Sequence, residues 1–85
     1  MIRQEIEAMM KKNNQKTITL VYNKTDKIGI HCFLQGGVLM DYTTHRVDRK
    51  KNIWGYINYF GNGDADMVSF DGAVCIPFMR NRFRV

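Results

Sequence analysis

"TITLVYNKTDKIGIHCFLQGGVLMDYTT", residues 17–44, is where the period of the chain changes. Upstream of it, Ile2, Ile6, Met9 and Met10 recur at helical spacing. From Thr17 onward the apolar residues alternate. Ile18, Leu20 and Tyr22 share one face of 17–23, and the threonines take the other. In 28–34, Ile28, Ile30, Cys32 and Leu34 alternate against Gly29, His31 and Phe33. A period of two marks a half-buried strand. "NKTD" (23–26) and "QGG" (35–37) are turn chemistry, so strands 17–23, 28–34 and 38–44 follow one another through short links. Links this short join antiparallel neighbours, because parallel strands need long crossovers.

Toward the N-terminus, the apolar stripe predicts a helix over 2–12. Glu5 and Glu7 lie early and Lys11 and Lys12 late, which complements the helix dipole. Glu7 and Lys11 form an i,i+4 pair in the favourable order. Asn13 and Asn14 are good stop residues, since Asn tolerates the left-handed conformation. The stripe of Ile2, Ile6, Met9 and Met10 is expected to pack on the sheet; the alternative is a helix that binds a partner.

Toward the C-terminus, "HRVDRKKN" (45–52) reads as a polar turn and "IWGYINYF" (53–60) as a fourth strand. "GNGDAD" (61–66) is a turn. "MVSF" (67–70) and "AVCIPF" (73–78) are the last strands, split by Asp71-Gly72. Pro77 points to an edge position, because it cannot donate to a ladder. The fold class is α+β, mostly β. An N-terminal helix precedes a five- or six-stranded antiparallel, strongly bent sheet or a small SH3/Sm-like barrel. In element order the chain resembles the small barrels of the Sm/Hfq class and other SH3-like barrels. The Gly-Asp pair of the Sm turn and the matching terminal strand motif are not present, and a fold alone does not fix a function. Residues 1–79 read as one domain and 80–85 as a basic tail.

With 85 residues, 45% of them hydrophobic, the chain is long enough for one small core. Such a chain buries little more than ~60% of its unfolded surface, which leaves scant room for a deep catalytic cleft. No run approaches the ~20 apolar residues of a membrane span. "MIRQEIEAMMKK" is interrupted by Glu5 and Glu7 and lacks the pattern of a secretory signal. The cytoplasm is therefore the expected compartment, with Cys32 and Cys75 reduced. The net charge of +5 favours anionic partners.

Catalytic and metal chemistry find little footing. His31-Cys32 is the only close His/Cys pair, where zinc motifs supply ligands in pairs two to four apart. "NGDAD" echoes a calcium loop, but Ala73 stands where the closing bidentate Glu belongs. A phosphate-binding glycine loop, a nucleophile elbow and paired carboxylates in an apolar setting are all missing. The expectation is a non-enzymatic protein without metal or cofactor.

The binding candidates lie in 41–60, which packs six charges and five aromatic rings into twenty positions. Arg46, Arg49, Lys50 and Lys51 crowd the 45–52 turn. In the strand beyond, alternation puts Ile53, Gly55, Ile57 and Tyr59 on one face and Trp54, Tyr56, Asn58 and Phe60 on the other. Trp54 and Tyr56 are the stacking candidates if that second face is exposed, and core residues if it is not. Arg80, Arg82 and Arg84 alternate in the tail, suited to phosphate or carboxylate contacts. Two functions fit. The first is binding of RNA or single-stranded DNA through the basic loop and tail. The second is a small inhibitor or adaptor, of the kind phages and mobile elements use for host takeover or anti-defence, docking on an acidic or nucleic-acid-binding protein surface. A monomer and an edge-paired homodimer are both compatible with the pattern.

Overall fold

The structure is a computed structural model that describes residues 1–43, 45–48 and 50–78; within that range the helix and all six strands form where the periods predict them. Helix α1 (Arg3–Lys12) is followed by β1 (Thr17–Val21), β2 (Ile30–Gln35), β3 (Val38–Asp41), β4 (Gly55–Tyr59), β5 (Ala65–Ser69) and β6 (Cys75–Pro77). All pairings are antiparallel, and the strand order is β3-β2-β1-β4-β5-β6. The sheet is open, with β3 and β6 at its edges, so it is not a closed barrel. Gly36 and Gly37, at φ +58° and +82°, supply the two left-handed residues of the β2–β3 hairpin turn. Ile28 lies outside β2 and is 76% exposed, so the inward row of that strand begins at Ile30.

Helix α1 covers one face, called inner here. Ile6 and Met10 are fully buried against Ile18, Leu20, Cys32 and Leu39, with Met9 packed beside them. Ile2 is the N-cap, and its N–H donates to Glu5 Oε1. Glu7 does not serve Lys11 as the spacing predicts. Its buried Oε2 accepts from Arg3 Nη1 at 2.9 Å and from the Leu39 N–H at 2.7 Å. The helix is thereby bonded to the outer edge of β3.

The segment after β3 is not a hairpin turn. Residues 45–47 double back along β3, with Arg46 bridged to Met40 and the Val47 N–H on the Leu39 carbonyl. The chain then crosses to β4, which pairs with β1 and not with β3. Val47 and Ile53 plug into the inner core. These two apolar residues turn an expected polar loop into a strap, because burying them outweighs leaving the segment in solvent. Met1 holds the end of the strap, exchanging backbone hydrogen bonds with Ile53.

Both sheet edges are guarded. On β3, Leu39 donates to Glu7, Asp41 donates to the His45 carbonyl, and the Leu39 carbonyl accepts from Val47. The sequence pattern gives no hint of this guard. On β6, the Phe78 N–H bonds Ala65 and the Ser69 N–H bonds Val74, so the outward positions are Cys75 and Pro77. Pro77 has no N–H to offer there.

The sheet consists of two three-stranded leaves, β3-β2-β1 and β4-β5-β6. They join only through the pairs Leu20–Tyr56 and Val21–Gly55. At the junction a Cβ on Gly55 would stand 2.0 Å from the Val68 carbonyl oxygen. The backbone there cannot move aside without breaking the β4–β5 ladder. Replacing Gly55 with Ala should lower stability by about 1–3 kcal/mol or more. Gly61→Ala, where an added Cβ meets nothing within 4 Å, should stay within about 0.5 kcal/mol of the parent. Urea denaturation of the two variants checks the contrast. Ile6→Ala, with Ile6 fully buried in the inner core, should cost about 2–5 kcal/mol in the same assay.

Candidate binding surface

The outer face of the sheet, opposite the helix, is divided. Over β4 and β5 it carries a second small core of Val21, Ile57, Ala65 and Met67, with Trp54, Ile76 and Phe78 packed against it. Over β1, β2 and β3 it lacks such a cover among the described residues. By register, Thr17, Phe33 and Met40 form one row across this face, and Thr19 and His31 form the next. Side chains directly opposite one another share a face, so Arg46, bridged to Met40, extends the first row at the β3 edge.

Aromatic rings dominate this exposed half. Phe33 and Tyr42 lie with centroids 5.0 Å apart and planes tilted by 42°. His31 and Tyr59 lie 6.3 Å apart and only 22° from parallel. Tyr42 is 63% and Tyr59 40% exposed. Thr19 Oγ1 and His31 Nδ1 are 2.8 Å apart, which fixes the imidazole on the sheet. Between the leaves opens a cleft of about 680 Å³, reached by His31, Tyr42, Tyr59, Thr17, Thr19 and Asn58.

The sequence candidates are scattered over this frame. Arg46 is exposed on the ring face. Lys50 and Lys51 are exposed on the strap, where Asp48 holds the Lys50 N–H. Lys51 Nζ sits 4.2 Å from the centre of the Tyr22 ring, a cation–π contact. Arg46 stands at the level of Thr17 and Lys51 at that of Tyr22, five residues or about 16 Å apart along β1. The four cations expected at one loop tip are therefore not one cluster; Arg49 itself lies outside the described residues, as do Arg80, Arg82 and Arg84.

Trp54 and Tyr56 do not share a face. Alternation holds only from Gly55, where β4 begins. Trp54 packs half-buried on the outer core. Tyr56 belongs to the inner core, 5.3 Å from Phe70. The rings that do come together, His31, Phe33, Tyr42 and Tyr59, are distant in sequence. Only the alternation of His31 and Phe33 against the apolar row of β2 hinted at them.

The acidic residues of 64–71 go separate ways. Cys75 Sγ lies 3.6 Å from Asp66 Oδ2, and Asp71 accepts from the Ser69 hydroxyl and the Ala73 N–H. Those bonds, the Ser69 hydroxyl first, hold the Asp71 carboxyl below its usual range. Asp41 is likewise lowered, chiefly by the Thr43 hydroxyl. Among the described residues no three His, Cys, Asp or Glu side chains converge as metal ligands, and no helix is long and apolar enough to cross a membrane. The chain matches no known family model, no curated protein and no solved structure.

The two thiols differ in reach. Burial, aided by Asp41, pushes Cys32 up to about 12, and the residue is fully enclosed. Cys75 is exposed, its pKa raised by desolvation and by Asp66. The thiolate is the reacting species. Ellman's reagent at pH 8 should therefore titrate one thiol in the folded protein and two after denaturation. Mass mapping should place the first adduct on Cys75.

Proposed function

We propose that this protein binds single-stranded nucleic acid, RNA or DNA, without catalysing a reaction. The observation that carries the reading is the row of rings on the exposed half of the outer face. Stacking on aromatic side chains is worth about 1–3 kcal/mol per base and is tolerant of sequence. Antiparallel sheets that leave one face uncovered present such rings at a useful interval. His31 and Phe33, two positions apart on β2, are separated by about 6.6 Å, the scale of one step along an extended strand. Arg46 borders the same face and offers a bidentate donor to a phosphate. The overall charge of +5 adds long-range attraction. Lys50 and Lys51 lie farther off on the strap, with Lys51 over Tyr22, and add to the general attraction.

Fluorescence anisotropy with a labelled single-stranded decamer, beside the same sequence as a duplex, tests the reading. The single strand should bind more tightly. Tyr42→Ala should weaken it by about 5- to 150-fold while the melting temperature holds, since Tyr42 is largely exposed. Arg46→Ala should reduce the slope of log affinity against log salt by about 0.7, the loss of one phosphate contact on a single strand. Equal binding of polyglutamate, unaffected by Tyr42→Ala, would instead mean that the surface answers to negative charge alone and would sink the proposal.

A further inference from the structure

The two leaves part just beyond their junction. Leu34 donates to Lys16, so the alternate residues Thr17, Thr19 and Val21 of β1 direct their backbone groups toward β4. Phe60 donates to Asp64, which by the same alternation turns Ile57 and Tyr59 toward β1. Continued register would place Thr19 opposite Ile57 and Thr17 opposite Tyr59, yet the paired positions stop at Leu20–Tyr56. The strands thus make a fork. It opens on the outer face as the cleft of about 680 Å³ and on the inner face as a smaller cavity of about 160 Å³. The two share Gln15, Ile18 and Tyr56 as walls.

We infer that this fork is a slot for one unstacked nucleobase, held between the His31 and Tyr59 rings. The inference rests on the single-strand reading above and assigns it a defined subsite. Three observations carry it. The first is the ring pair. The His31 and Tyr59 rings lie within 22° of parallel with centroids 6.3 Å apart, so both are in reach of a single bound base. A small parting of the leaves admits a planar heterocycle between them.

The second is the lining. Among the described residues no Lys, Arg, Asp or Glu contributes to the cleft wall. The polar wall residues are Gln15, Asn58, Thr17 and Thr19, amides and hydroxyls without charge, with Gln15 Nε2 donating to the Thr17 carbonyl. Such a set matches the edge of a neutral base and gives a phosphate nothing to pair with. Phosphates stay outside, toward Arg46.

The third is the width, which argues against a peptide strand as occupant. In a flat sheet β2 and β4 would stand about 9.6 Å apart across β1. Rings projecting from those two strands approach to 6.3 Å between centroids, so side chains narrow the mouth of the fork. A further strand inserted beside β1 would need about 4.8 Å on each side.

A decamer with an abasic backbone tests the slot, compared with the same decamer carrying a single central 2-aminopurine. The full chain is titrated with each. The base should raise affinity about 5- to 150-fold, and its fluorescence should be quenched on binding. Tyr59→Leu should erase that increment, and Gln4→Ala, exposed on the helix that covers the opposite face, should leave it. Should Tyr59→Leu fail to fold, His31→Ala serves in its place, with Tyr59→Phe expected to keep the increment. Equal affinity for the two decamers, beside ring-dependent binding of an ordinary decamer, overturns the slot and leaves the single-strand reading standing. Failure of the ordinary decamer to bind overturns both.

Discussion

Gly55 is the point on which the sheet turns. Its Cα passes so close to Val68 that a Cβ would stand 2.8 Å from the carbonyl carbon as well as striking the oxygen. The same residue pairs with Val21, one of only two positions that join the leaves. Strands β5 and β6 attach to the rest of the sheet through β4, so the second half of the molecule hangs from this contact. Val21 in turn is fully buried in the outer core. The close approach at Gly55 therefore holds β5 tightly against β4 at the place where the two leaves join.

The inner face is locked by a different device. Arg3 and Glu7 are buried on the first turns of the helix, their side chains only 6% and 11% exposed. Desolvating two charges offsets most of their attraction, so such a pair adds little net stability. Arg3 Nε has no hydrogen-bond partner among the described residues, which lessens the gain further. What the pair does is positional. One carboxylate oxygen takes both Arg3 and the Leu39 N–H, which fixes the helix against β3 and closes that edge to other chains. Fixing the helix there leaves the outer face of the same leaf without a covering element among the described residues.

Much of this was legible in the sequence, and the failures share a cause. The helix and the strands lie close to where their periods put them; β1 is buried on both faces from Ile18 to Val21, and β5 begins at Ala65, within the expected 61–66 turn. Pro77 marked an edge strand through a missing donor, a local fact. The strap escapes a local reading because one buried residue, Val47, stands among seven charged or polar neighbours in 45–52. Trp54 was placed with Tyr56 because alternation was carried one residue too far, past the start of β4. Glu7 looked like a surface partner for Lys11; its true partner, the Leu39 N–H, is thirty-two residues away and invisible to spacing. The ring cluster needed the β1–β4 pairing to bring Tyr59 beside His31, and that long-range pairing is the one connection which short links cannot announce.

The separation of rings from cations has a consequence for how a strand would be held. Phosphate contacts weaken with salt because they release counterions, whereas stacking in an uncharged cleft has no counterions to release. Arg46 borders the ring face, while Lys51 lies over Tyr22, which packs on the inner core, so the two cations do not form a single anion site. The fork carries no formal charge in its wall. On the proposed reading, the attraction that would bring a strand to the surface and the contacts that would retain it come from different residues. The first would depend on ionic strength, and the second on whether a base enters between His31 and Tyr59.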